Sequence, residues 1–526
     1  MPRENPTTLL DQLNELKTEF TPAGGKRLAR LLDQLSRKHF NDTDSLFRYH
    51  ELLLFVRAYP QSAAIVRAVE KELRAFSGRV SRLADQGIDL AELQHPAVSG
   101  IAGTSVIDTF SFYIVRWLVQ RYPNTAEIYW DWFEDENNLA EAWPRLMPLL
   151  EEDAFVEANV PYREWLAAAR QRQPELSWLI ERVNQVAKTD EDRAQLYDSQ
   201  HLYVRWTPDF AATRTGMRVA NETFFYHRGP LIQRREINLR EQLAQPSPEL
   251  RKLSSRDGAR AIEMARESST TRYRELYGFT HGDPAHVYRA ELGRGVEIFV
   301  MGLPAEKRLP LRTYHSVMIY KNGVAIGYFE GLSLFERMET GFNLYYTFRD
   351  GETAWLYARL LNVMHHFAGV TAFSLDPYQI GYKNEEGIES GAFWFYRKLG
   401  FRPMSDETLQ LTLKEEEKIG KRKGHRTSAA TLRKLAESSM IFELNNEGDW
   451  DRFQIRKIGF KAQRADAGND LDLVFSMIPD LDRWSREEKQ ELERIVNAKM
   501  SSEELRYLNL LQNHQKLRQA IITLGS

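Results

Sequence analysis

The segment Gly391-Ala-Phe-Trp-Phe-Tyr-Arg-Lys-Leu-Gly-Phe-Arg-Pro403 reads as an aromatic helix that leaves directly for a strand, and it closes a definite run of elements. Upstream, the apolar runs at residues 314–320 and 324–330 flank Lys321-Asn322-Gly323. An Asn-Gly pair between apolar runs marks a two-residue hairpin, because both central positions of a type I′ turn need positive φ. Residues 295–302 form a compact strand. Residues 341–348 form another, running into the turn Arg349-Asp-Gly-Glu-Thr353. A helix with Leu356, Leu360, Val363 and Phe367 on one face follows, then a strand at 370–375, a loop, the aromatic helix, and a last strand after Phe401.

The chain has 526 residues, more than a single hydrophobic core organises, which predicts roughly two to four domains. Hydrophobic residues at 42% and aromatics at 11% suffice for real cores and argue against wholesale disorder. A net charge of −3 gives no global pull toward nucleic acid or an anionic membrane. There is no cysteine, which excludes a disulfide framework, a thiolate nucleophile and any cysteine-ligated metal. The opening Met-Pro-Arg-Glu-Asn-Pro-Thr-Thr lacks the apolar stretch of a secretory signal. The most apolar window, residues 98–119, holds Asp108 and Arg116 and reads as a buried helix pair rather than a membrane span. The expectation is a soluble cytoplasmic protein.

Residues 1–195 read as an α-helical domain, with helices at 45–60 and 111–123 that both end in Tyr-Pro. Trp117, Trp130, Trp132, Trp143, Trp165 and Trp178 are assigned to packing. Residues 196–408 read as a second domain whose core lies at about 255–405, with short β-rich runs at 201–206 and 222–226 and a helix at 259–277. Residues 409–526 read as a charged α-helical region, in which Ser485-x-x-Glu488 and Ser501-x-x-Glu504 are capping boxes.

Ala392, Tyr396, Lys398, Leu399, Gly400 and Phe401 reproduce the A-x-x-x-Y-x-K-L-G-F signature that closes acyltransferases of the GNAT superfamily, and the element order upstream is the order of that core. Residues 296–403, under a quarter of the chain, therefore resemble a GNAT domain. The resemblance implies an α+β fold, a mixed-sheet acyltransferase core flanked by N-terminal and C-terminal α-helical regions. It implies transfer of an acyl group to an amine from acyl-CoA, or from another activated donor such as aminoacyl-tRNA. Phe348, Arg349, Gly351, Thr353 and Ala354 would meet the donor pyrophosphate at a helix N-terminus, where free N–H groups and the dipole suit an anion. Glu352 stands where the family pattern has its first glycine, so Asp350 and Glu352 bring negative charge to that turn unless they point away. Asn384 resembles the asparagine that contacts CoA, at a longer spacing than usual.

Tyr396 takes the role of the tyrosine that protonates the departing thiolate, with a core tyrosine as the competing reading. Glu339 is the candidate general base for the amine, and Glu330 and His315 are alternatives. No metal site is expected: His365 and His366 are adjacent on a helix and face different ways. Lys421-Arg-Lys423 reads as a solvated loop rather than a phosphate contact. The rival expectation is a catalytically inert GNAT-like scaffold that binds protein or RNA, tRNA included, through its helical arms.

Overall fold

The computed structural model describes residues 5–95, 98–133, 137–147, 160–220, 224–272, 275–445, 448–464, 471–500 and 504–526. The chain forms two compact units. One comprises Met1–Ala220, Tyr226–Arg228 and Glu263–Thr280, the other Asn221–Phe225, Gly229–Ile262 and His281–Ser526.

The first unit opens with helices Pro6–Leu16, Pro22–Ser36, Thr43–Ala58 and Ala63–Arg74, whose N-caps Asn5, Thr21, Asp42 and Ser62 each accept a hydrogen bond from a first-turn N–H. Those side chains satisfy donors that the helix itself leaves unpaired. Helices Thr43–Ala58 and Phe112–Arg121 stop two residues before Pro60 and Pro123, as a residue that disfavours a preceding α conformation requires. The window at 98–119 is not a helix pair: strand β1 (Val106–Asp108) precedes a single helix. With β2 (Ala126–Ile128) and β3 (Val204–Trp206), β1 forms an antiparallel sheet with β3 in the middle. Its apolar residues join Trp117, Trp143, Trp165 and Trp206 in one buried cluster.

The second unit is built on a nine-stranded mixed sheet. Its strands are β4 (Arg251–Lys252), β5 (Val287–Gly293), β6 (Val296–Met301), β7 (Thr313–Lys321), β8 (Val324–Leu334), β9 (Arg337–Leu344), β10 (Ala372–Leu375), β11 (Arg402–Pro403) and β12 (Met440–Glu443). The spatial order is β4-β5-β6-β7-β8-β9-β10-β12-β11. Every neighbouring pair is antiparallel except β9 and β10, which are parallel and joined by helix Thr353–Ala368. Lys321 and Val324 face each other across the expected two-residue turn, with φ of 48° at Asn322 and 80° at Gly323. The chain is thus α+β, with a mixed sheet and helical regions.

Two strands differ from the sequence reading. The strand expected at 341–348 runs instead from Arg337 to Leu344, and Tyr346–Phe348 is a single 3₁₀ turn. Its early start follows from a tight turn at Phe335, where φ is 53°. Phe335 is fully buried against Leu334, Ala372 and Ile441, and that burial offsets an unfavourable backbone conformation. Strand β12 lies inside the region expected to be helical and inserts between β10 and β11. The C-terminal helices pack Tyr507, Leu517 and Ile521 onto the same cluster, which Trp450 joins from a turn. The capping box at Ser485 and Glu488 is formed, whereas residues 501–503 of the second box lie outside the described residues. Among the described residues, no helix is long and apolar enough to cross a membrane.

Candidate functional site

Strands β9 and β10 stay together for three residue pairs only, Arg337–Ala372, Met338–Phe373 and Glu339–Ser374. Beyond Glu339, β9 continues five residues to Leu344, while β10 ends at Leu375 and turns away into the Pro377–Ile380 helix. The parallel pair therefore opens into a wedge, along which β9 still pairs with β8 but not with β10. Half-buried Gly341, Phe342 and Asn343 line its edge. An unpaired strand edge of this kind offers N–H and C=O groups to an extended ligand.

Alternation along β9 assigns two faces. Thr340 and Phe342 face the Thr353–Ala368 helix, where Thr340 Oγ1 lies 2.9 Å from the Tyr357 hydroxyl and the Phe342 and Tyr357 rings are 5.1 Å apart. Arg337, Glu339 and Gly341 take the other face, and Gly341 approaches the Gln379 side chain there.

The turn after β9 positions the residues expected to meet a donor phosphate. Phe348 is buried, and the Gly351 N–H donates to its carbonyl at 3.0 Å. Thr353 Oγ1 donates to the Arg349 carbonyl at 3.1 Å, and Ala354 is buried in the first helical turn. The helix has sixteen residues and no side-chain cap, so its first-turn N–H groups at Thr353, Ala354 and Trp355 meet no acceptor among the described residues. Glu352 does not reach this turn. Its carboxylate is buried, pairs with Arg294 at 2.5 Å and Lys321 at 3.6 Å, and accepts the Ile232 N–H at 3.1 Å. Asp350 is exposed. Arg349 donates to the Leu344 carbonyl, stacks on Tyr346 at 3.9 Å and pairs with Glu386. Asn384 caps the Glu385–Glu389 helix by accepting from Gly387 N–H and donates to the Tyr378 carbonyl, which uses both ends of its amide.

Tyr396 sits in the Ala392–Arg397 helix, edge-on to Tyr357 at 5.5 Å and Phe401 at 5.8 Å. Burial raises its pKa, and nearby Arg349 opposes that only partly. The phenol is therefore protonated at neutral pH, and its hydroxyl has no hydrogen-bond partner among the described residues. The neighbouring Tyr357 hydroxyl, by contrast, is tied to Thr340.

Glu339 opens onto a polar cleft of about 970 Å³ at the mouth of the wedge, lined also by Arg312, Arg337, Asp376, Tyr378 and Lys383. Its carboxylate lies 3.4 Å from Arg312. Glu330 is held by the Tyr314 hydroxyl at 2.5 Å, with its pKa raised by burial. His315 is sealed against Phe367, and burial, then Lys499 and Arg308, push its pKa down to about 4. Neither lines the cleft, so Glu339 is the candidate base that a substrate can reach. The cleft arginines escaped sequence reasoning; a charged residue opening a strand, as Arg337 does, was the available signal.

In the first unit, Thr215 Oγ1, His50 Nε2, His50 Nδ1 and Glu51 Oε1 are linked by two contacts of 2.8 Å. The order imitates a nucleophile, base and carboxylate. However, the Ala102 N–H also donates to Thr215 Oγ1, and His50 is 0% exposed. That network is a clamp rather than a reaction centre. His365 and His366 bond separately to the Val370 and Asn362 carbonyls. Among the described residues, no group of acidic or histidine side chains is placed to hold a metal. Comparison of the chain with protein-family models, curated proteins and solved structures returned no match.

Proposed function

We propose that the second unit is an N-acyltransferase that moves an acyl group from acyl-CoA to an amine. The observation that carries this reading is the wedge between β9 and β10, whose strands part beyond Glu339, a residue that lines the polar cleft, while Tyr396 packs on Tyr357, the ring that meets Phe342 of the β9 edge. The thioester lies in the wedge, and its pantetheine amides follow the unpaired edge of β9. Phosphate oxygens meet the uncapped N-terminus of helix Thr353–Ala368. Glu339 takes a proton from the amine. The nitrogen attacks the thioester carbonyl, the carbon–sulfur bond breaks, and Tyr396 gives its proton to the departing sulfur. Solvent restores that proton. Because Glu352 is turned into its own ion pairs, its charge does not oppose the donor.

The engagement of Arg349 with Glu386 favours a second donor class. A turn that offers backbone N–H groups but no free guanidinium suits an activated donor without a pyrophosphate, such as an aminoacyl-tRNA.

Calorimetry and thermal shift with acetyl-CoA and longer acyl-CoAs test the first reading. Binding is expected, and Tyr396→Phe is expected to lower turnover by on the order of 10²-fold while leaving donor affinity nearly unchanged. No shift with any acyl-CoA moves the donor to tRNA, which a tRNA pull-down checks. Failure of both leaves the scaffold. An unchanged rate in Tyr396→Phe removes that residue from the mechanism.

A further inference from the structure

Arg337 is an unusual cation of the second unit. It opens β9, is 8% exposed, and lines the cleft that holds Glu339. Its guanidinium lies 5.5 Å from the ring centres of both Trp450 and Phe453, and its Nε donates to Ser374 Oγ at 3.0 Å. Nη1 is buried and has no acceptor among the described residues. Glu339, Glu443 and Asp451 lie near enough to favour its charge but not within ion-pair distance: Glu339 meets Arg312 at 3.4 Å, and Glu443 and Asp451 meet Arg402 at 2.5 and 2.8 Å. A buried donor without an acceptor is costly, and a ligand that supplies the acceptor recovers that cost. Burial lowers the Arg337 pKa only to about 10, so the group is a cation at neutral pH.

What Nη1 lacks is an acceptor, and a ligand can bring one from the cleft that Arg337 lines. Glu339, Asp376, Glu407, Glu437 and Asp451 line the same cleft beside Arg312, Arg337, Lys383, Lys434 and Arg456, a balance that gives a phosphate dianion no excess of positive charge to meet. Two residues on one strand face are separated by roughly 6.6 Å. A guanidinium and a carboxylate from neighbouring positions on one strand face, both lining one cavity, match a molecule that carries an amine and a carboxylate close together. Arginine receives the carboxylate through its forked donors, and Glu339 receives the amine.

We propose that Arg337 is the carboxylate-binding group of an acceptor subsite, and that the acceptor amine belongs to an aminocarboxylate, a free amino acid in its simplest form. This rests on the acyltransfer reading for the fate of the amine, but not for binding itself.

The test is calorimetry on the full chain without any acyl donor. The probes are the twenty standard amino acids, each paired with its carboxamide. At least one amino acid is expected to bind on the order of 10- to 100-fold more tightly than its amide. Arg337→Gln should abolish that preference while leaving amide binding unchanged. Arg337→Lys keeps the charge on a single-point donor. It should retain part of the preference, and it keeps the test informative if Arg337→Gln does not fold. Binding of acid and amide with equal affinity, a preference that survives both variants, or no binding by any amino acid overturns the proposal. Carboxylate-selective binding without turnover on any donor upholds the subsite and overturns the acyltransfer reading. Turnover on an amine without carboxylate selectivity does the reverse.

Discussion

Replacing His315 with glutamine should remove an acid sensitivity that the wild-type fold carries. The ring is 3% exposed in β7, packs edge-on to Phe367 at 5.5 Å, and faces Lys499, Arg308 and His286. Desolvation and those cations hold its pKa at about 4, against 6.5 for an open histidine. Above pH 6.5 the ring is neutral in both the folded and unfolded chain. Between pH 6.5 and 4 the unfolded chain binds a proton that the folded chain refuses, so stability falls as pH falls. At ~1.4 kcal/mol per pH unit, the full gap is worth ~3.4 kcal/mol, of which ~2 kcal/mol is already lost at pH 5. Because the chain has two units, whole-chain fluorescence would mix two transitions. Urea titrations at half-unit steps from pH 8 to pH 5, read by hydrogen exchange in peptides covering β7, isolate the unit concerned. The wild type should lose ~2 kcal/mol more than His315→Gln across that range. Parallel curves for the two proteins would show that His315 is hydrated or protonated in the native state and would refute the argument.

Glu352→Ala should destabilise the second unit by ~3–5 kcal/mol, because it leaves the buried Lys321 and the half-buried Arg294 around a missing carboxylate; a loss below ~1 kcal/mol in a urea titration contradicts the assigned ion pairs. Glu339→Gln should leave the melting temperature within about one degree, since its side chain is 28% exposed and meets Arg312 only at 3.4 Å. The same substitution should cut turnover by on the order of 10²- to 10⁴-fold with the rate rising less steeply with pH; full activity eliminates Glu339 as base.

Local signals in the sequence predicted what local physics determines. The Asn322-Gly323 turn, the proline-stopped helices and the Ser485 cap all depend on residues within a few positions of one another. The elements misread are those that tertiary contacts create. Phe335 is a poor turn residue and adopts positive φ because the cluster around Ile441 and Trp450 holds its ring. Met440–Glu443 is too short to announce itself within a charged stretch, and it becomes a strand by pairing with residues more than sixty positions earlier. Glu352 illustrates the same limit at the site. Its position in sequence suggested repulsion of an anion, but Arg294 and Lys321, brought in by distant strands, turn it away. Arg337 stayed hidden because an unpaired charge is visible only once every possible partner has been located.

The insertion of β12 between β10 and β11 also sets an order of assembly during synthesis. Strands β5 to β9 follow one another in the chain and pair with their immediate predecessors, so they can zip together as they emerge. Strand β10 then gains only three residue pairs with β9, and its other edge stays bare until Met440–Glu443 has been made. Throughout the intervening stretch, a nascent chain presents Phe373 and Leu375 on an open apolar edge, the kind of surface that recruits chaperones or neighbouring chains. A ribosome stalled between Pro403 and Met440 would therefore release a sticky intermediate rather than a shortened but sound protein.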